Sequence, residues 1–144
     1  MVELTHAPLS LENASRAVAD PAAGGIDIFL GVVRNKNLEK SVKYLEYEAY
    51  ETMAKKQMQL IEEESRKKWK LLHVFMIHRL GKVEIGEASV ILAVSSVHRP
   101  ECFAATRYII DRLKETVPIW KKEYFEGGAI WQENAEVKEW VKQS

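Results

Sequence analysis

Two apolar runs, His73 to Leu80 and Ala88 to Ser96, flank a short polar stretch punctuated by Gly81 and Gly86. Runs of this length, rich in Val and Ile and bounded by turn formers, predict two buried strands joined as a hairpin, and such strands need cover. The chain supplies that cover on both sides. From Glu51 to Trp69 the apolar positions Met53, Ala54, Met58, Ile61 and Trp69 recur at roughly helical spacing among Lys and Glu, which predicts an amphipathic helix. Pro100 suits the first turn of a second helix, where its missing N–H costs nothing. Phe103, Thr106, Ile110 and Leu113 continue an apolar face until Pro118 ends it.

The remaining segments read as shorter elements. Val2 to His6 alternates like a strand, and Ser10 caps a helix running to about Ala19, ahead of Asp20-Pro21 and of Gly24-Gly25, a pair that shapes a turn. Gly25 to Arg34 predicts a buried strand, with Lys43 to Tyr50 as the second strand of a pair. Ile119 to Phe125 predicts another strand, Gly127-Gly128 a turn, and Trp131 to Trp140 a closing strand or short helix. Hairpins mixed with helices, in 144 residues that are 47% hydrophobic and 29% charged, predict a single α+β domain over residues 1–144. Its antiparallel sheet should carry flanking helices.

Charge and cysteine usage narrow the function classes. Lys plus Arg and Asp plus Glu number 21 each, so no overall field draws the chain to nucleic acid or an anionic membrane, and any bound anion must be held by a local cluster. Met1 to Ser10 lacks a signal-peptide pattern and no apolar run approaches membrane-spanning length, which predicts a cytoplasmic protein. Cys102 is the only cysteine, and His6, His73, His78 and His98 show no close pairing of the zinc-binding kind, so no metal site is expected.

The cluster is basic: Arg34 after a strand, His98-Arg99 before a helix, and Lys114 and Lys121 on either side of Pro118. With a helix start behind Pro100, such a set suits a phosphate. Strand alternation puts Lys121 and Glu123 on one face and Lys122 on the other, so only one of the two adjacent lysines can enter a given pocket; alternation leaves open which. Residues 98 and 114, if joined by one helix, lie roughly 24 Å apart at about 1.5 Å per residue. If both serve one substrate, the simplest arrangement is a symmetric dimer, with His98 and Arg99 supplied by the neighbouring copy. Cys102, four residues after His98, is the competing nucleophile of a thiol acyltransferase or hydrolase.

Five ordered motifs carry a resemblance: Phe29-Leu30-Gly31-Val32-Val33-Arg34-Asn35, Leu45-Glu46-Tyr47-Glu48-Ala49-Tyr50, His78-Arg79-Leu80-Gly81, Ser95-Ser96-Val97-His98-Arg99 and Pro118-Ile119-Trp120-Lys121-Lys122-Glu123. Together they resemble the molybdopterin synthase catalytic (large) subunit family, over about residues 24–131. The resemblance implies a hammerhead α+β fold and a homodimer within a heterotetramer. The partner it implies is a small ubiquitin-like sulfur-carrier subunit with a C-terminal Gly-Gly thiocarboxylate. Two sulfurs would pass to cyclic pyranopterin monophosphate to make the molybdopterin dithiolene, without a cofactor. On matching positions it implies that activity depends on Lys114 and Lys121, that Phe29 and Arg34 line the pocket for tail and pterin, and that His98 and Arg99 bind substrate across the dimer interface. It selects Lys121 over Lys122 and makes Cys102 incidental. The family can carry an arginine beyond the last tryptophan motif. Gln132-Glu133-Asn134 follows Trp131 here, and the nearest basic residue is Lys138. A third reading, a non-catalytic adaptor for a ubiquitin-like tail, predicts carrier binding without turnover.

Overall fold

The computed structural model describes residues 1–37 and 40–133, and within them the chain builds an α+β fold from two sheets and three helices. The first sheet runs in the order β1 (Val2–Thr5), β5 (His73–Arg79), β7 (Ala88–Ser96), β2 (Gly25–Val32). β1 pairs parallel with β5, whereas β5–β7 and β7–β2 are antiparallel. β7 is central and buried from Ser89 to Ser96, which explains its unbroken apolar run. Two long helices, α2 (Glu51–Lys68) and α3 (Arg99–Thr116), cover one face. Met58, Ile61, Ile109 and Leu113 pack there against Val74, Met76, Leu92 and Val94. Each such side chain contributes about 1.5–3 kcal/mol through burial.

The other face is covered by α1 (Leu11–Ala17), whose Ala14, with Val18 just after it, meets Phe75, Ile91 and Ala93. A seven-residue helix is marginal alone, so its cap counts. The Ser10 hydroxyl accepts the Asn13 N–H at 3.1 Å. Ser10→Ala should therefore lower stability by about 1 kcal/mol, read as a shifted urea midpoint with unchanged slope; an unmoved midpoint would show that the cap is idle.

The second sheet contains β3 (Lys36–Asn37), β4 (Lys40–Ala49), β8 (Ile119–Phe125) and β9 (Gly128–Glu133) in that order, with β6 (Gly81–Glu84) also paired to β4. Its small core is Val33, Val42, Leu45 and Val83.

The expected antiparallel sheet with flanking helices is present as two mainly antiparallel sheets, one of them with a parallel pair. Four narrower expectations need correction. β2 is no buried strand: it is the sheet edge, and Ile26, Phe29, Leu30 and Val32 are exposed. Its partner is β7 rather than β4, because β4 is taken by β6 and β8. The polar link between β5 and β7 is more than a hairpin turn, since it contributes β6 to the second sheet and so ties the two sheets together. Gly24 and Gly25 serve close packing more than a turn. A Cβ on Gly24 would lie 2.2 Å from the Val97 carbonyl oxygen, and one on Gly25 would lie 3.2 Å from Cys102 Sγ. Bare backbone lets the start of α3 lie against β2.

Candidate functional site

A cleft of about 170 Å³ opens where the two sheets meet the C-terminal end of α3. β2 supplies Phe29 and Gly31 to one wall, and a Cβ on Gly31 would lie only 2.6 Å from Val90 Cγ1 on the neighbouring strand. Beyond β2 the chain is pinned at Val33, whose N–H donates to the Glu87 carbonyl at 3.0 Å and whose carbonyl accepts from Gly86 N–H at 2.8 Å. That anchor sets Arg34 at the rim, with Lys36 beside it. Lys114 enters from the last turn of α3. The Pro118 carbonyl, just past that helix, accepts the Tyr50 N–H at 3.3 Å and so joins the end of α3 to the start of α2.

Lys121 comes from β8, where it stands opposite Tyr47 of β4, so both side chains share the cleft face. Glu123, two residues on, is on the same face and only 1% exposed. Its Oε1 lies 3.9 Å from Lys121 Nζ, close enough for a buried carboxylate to be compensated by the ammonium. Lys122 points the other way, over the rings of Tyr124 and Trp131 at 5.3 and 5.2 Å. Period-two alternation thus separates the adjacent lysines, and the cleft takes Lys121.

Four cations, Arg34, Lys36, Lys114 and Lys121, line the cleft with one carboxylate, Glu123, giving 4 − 1 = +3 in a chain whose net charge is zero. Behind them the ionisation is set by burial. Desolvation pushes the Tyr47 phenol up, against the hydrogen bond with Ser89, and the Glu123 charge adds to the rise. Burial likewise pushes His78 down to about 4; the hydrogen bond to the Arg79 carbonyl opposes this and the Lys114 charge reinforces it. The site therefore holds positive charge at its surface, with the neutral Tyr47 and His78 side chains and the Glu123 carboxylate beneath. That suits binding an anion and stabilising negative charge as it develops.

Of the residues singled out in the sequence, Phe29, Arg34, Lys114 and Lys121 meet in this cleft. His98 and Arg99 do not. They are exposed at the opposite end of α3, one helix length from Lys114. The start of α3 also offers less free backbone than its sequence promised: the Ser96 hydroxyl accepts the Cys102 N–H at 3.2 Å and donates to the His98 carbonyl. Cys102 itself is 1% exposed, and its thiol donates to the Arg99 carbonyl at 3.3 Å. Lys138 and the tail beyond residue 133 lie outside the described residues. Sequence reasoning missed Lys36, Tyr47, Ser89 and Glu123 as site residues. Only for Glu123 was there a signal, its place on the Lys121 face.

Small-molecule pockets generally start near 300 Å³, so at about 170 Å³ this cleft is small for such a pocket and suits a chain end or a phosphate.

Comparison with known proteins points one way. A sequence profile for the family described as MoaE protein matches residues 4–116. The molybdopterin synthase catalytic subunit of Homo sapiens is 43% identical over 136 residues, covering 94% of this chain and 72% of that one. Among solved structures, molybdopterin synthase from Staphylococcus aureus superimposes with a TM-score of 0.86 at 38% identity, covering 90% of this chain and 95% of that one. A chain in the complex of subunits 1 and 2 of molybdopterin-converting factor from Helicobacter pylori shares the fold, with a TM-score of 0.76 at 20% identity over 90% of this chain and 88% of that one.

Proposed function

The chain belongs to the MoaE family of molybdopterin synthase catalytic subunits, sulfurtransferases of molybdenum cofactor biosynthesis, and we propose that the cleft between its two sheets is where sulfur is transferred. The observation that carries this reading is the convergence of Lys114 and Lys121, from a helix end and a strand, on one positively charged cleft in a neutral protein. The donor is the thiocarboxylate at the Gly-Gly end of a small ubiquitin-like carrier subunit; the acceptor is cyclic pyranopterin monophosphate. The carrier's sulfur bonds to a pterin side-chain carbon as that carbon's bond to oxygen breaks, the oxygen leaving on the phosphate group or as water; a further water then cleaves the acyl–sulfur bond, which frees the tail as a carboxylate and leaves the sulfur on the pterin. Both steps build up negative charge, and fixed ammonium groups stabilise it without reorganising solvent. The Lys121–Glu123 pair holds one of those groups in place.

Arg34 and Phe29 complete the pocket for tail and pterin, the guanidinium being matched to phosphate or carboxylate oxygens in paired hydrogen bonds. His98 and Arg99 serve the same substrate from a second copy of the chain, because α3 separates them from Lys114 within one copy. The small cleft volume fits a pocket completed by that copy. The working assembly is then a homodimer with one carrier at each end, and an active monomer in sedimentation would end that part of the reading. The unpaired edge of β2 leads to the cleft, as suits a protein partner. Among the described residues no helix is long and apolar enough to cross a membrane, and the lone cysteine needs no oxidising compartment, so we place the reaction in the cytoplasm.

The deciding experiment mixes the purified protein with thiocarboxylated carrier and the pterin precursor. Dithiolene product is expected; carrier binding without turnover would instead mean an adaptor. Cys102→Ser separates the remaining alternative. Because the thiol is buried and bonded to a backbone carbonyl, the variant should keep its full rate in that assay, whereas a thiol acyltransferase would lose it.

A further inference from the structure

Behind the cleft wall lies a buried titratable group that the reaction as read above does not use. His78, near the end of β5, is 2% exposed and does not itself line the cleft. Its Nδ1 lies 2.8 Å from the Arg79 carbonyl oxygen. A carbonyl can only accept, so Nδ1 carries the proton and Nε2 keeps its lone pair. The Tyr47 ring meets the imidazole edge to face at 5.0 Å, and the cross-strand neighbour of His78 is Val90. Tyr47 and Val90 both line the cleft with Lys114, so the imidazole backs the wall on which that ammonium sits.

Packing alone does not account for a histidine here. A phenyl ring would fill the same space against Tyr47 without burying polar nitrogens. What the imidazole adds is a ring locked by a backbone hydrogen bond, with an acceptor edge that does not repel a nearby ammonium. The Lys114 charge is among those that act on it, and Tyr47 is the titratable group facing it from β4.

We propose that His78 is a positioning residue for sulfur transfer: fixed by its bond to the Arg79 carbonyl, its ring and unprotonated Nε2 edge hold the Tyr47–Lys114 wall so that the Lys114 ammonium is presented to the reacting groups in one orientation. This rests on the reading of Lys114 as a charge-stabilising residue. Misplacing such a group by a fraction of an ångström weakens the transition state more than it weakens binding.

The test compares His78→Phe, which keeps the ring and deletes both nitrogens, with His78→Gln, which restores a polar end. Each is assayed with thiocarboxylated carrier and pterin precursor, and the acetylation rate of Lys114 relative to Lys122 is read from peptide masses under limiting acetic anhydride. For His78→Phe, kcat should fall about tenfold while KM for the precursor stays within about twofold. The Lys114 to Lys122 labelling ratio should change, and His78→Gln should recover most of kcat. Wild-type kcat in folded His78→Phe overturns the proposal. So does a loss shared by both variants with an unchanged labelling ratio, since that is a structural effect only. Should His78→Phe not fold, His78→Asn decides: it keeps a donor for the Arg79 carbonyl but lacks the Nε2 edge, so a lowered kcat supports the proposal and a wild-type kcat overturns it. Lys114→Ala run alongside separates the failures, because full activity there removes the reading of the site. An inactive Lys114→Ala beside a fully active His78→Phe removes only this inference.

Discussion

Lys114→Ala and Lys121→Ala are each expected to lower dithiolene formation by on the order of 10²–10³-fold, the cost of deleting one preorganised charge-stabilising group. Both side chains reach the same cleft and neither is part of a buried apolar cluster, so circular dichroism should be unchanged in both variants, while Lys121→Ala, which takes the ammonium away from the buried Glu123 carboxylate, should in addition lower the urea midpoint. Lys122→Ala is the internal control. It removes an ammonium one residue away that packs over Tyr124 and Trp131 on the opposite face, and its rate should stay within a factor of about two, as for ordinary surface substitutions. The comparison is clean because the three variants lose the same charge, so general electrostatics cancels and only position differs. Single-turnover rates with saturating carrier are the measurement. Full activity in both of the first two variants would remove the mechanism, and a Lys122→Ala defect equal to theirs would show that net charge matters more than placement.

Acidification from pH 6.5 to 4 should destabilise the fold by about 3 kcal/mol through His78 alone. Burial holds this imidazole down at about 4, against 6.5 when it is free, so between those values the unfolded chain binds a proton that the native protein does not. Stability therefore rises with pH across this window: it is fully present above 6.5, declines as pH falls towards 4, and loses little more from this group below that. At about 1.4 kcal/mol per pKa unit the whole span is worth about 3.5 kcal/mol, of which about 3 kcal/mol is lost by pH 4, where the native imidazole is half protonated. The lowered carboxylates act only at the acid end of the window. Asp20, held down chiefly by the Ala22 N–H, and Glu87, held down chiefly by the Glu84 N–H, keep their full contribution above about pH 5 and lose it as pH falls through the ordinary carboxylate range, so the His78 share is the part of the slope that the His78→Phe variant lacks. Urea unfolding at pH 7 and pH 4.5 measures the slope, and His78→Phe should flatten it. A slope that survives the substitution would place the acid sensitivity elsewhere.

Much of this architecture is legible in local pattern. The helix over 51–68, the strands over 88–96 and 119–125, and the helix opened by Pro100 and stopped before Pro118 all follow from periodicity and from the backbone limits of proline. The opposite faces of Lys121 and Lys122 follow from the strand period. The edge position of β2 did not, because an Ile- and Val-rich run looks alike whether it is covered by another strand or by a partner molecule. Nor did the pairing of β6 with β4, four residues whose strand character depends on a neighbour more than thirty positions away.

The chain's own order of residues determined most of the segments that form helices and strands, β6 excepted, which lysine faces with Glu123, and, through five spaced motifs, the family. These properties come from the backbone and from neighbours within a turn or a pleat, so they survive without the rest of the molecule. Only the tertiary structure decided that Tyr47 stands opposite Lys121, that His78 lies buried behind that wall, and that Phe29, Arg34, Lys114 and Lys121 share one cleft while His98 and Arg99 lie a helix length away. Those are distances between residues remote in sequence. They are set by how two sheets and three helices bury their apolar faces together, a property of the whole packing that no local window contains.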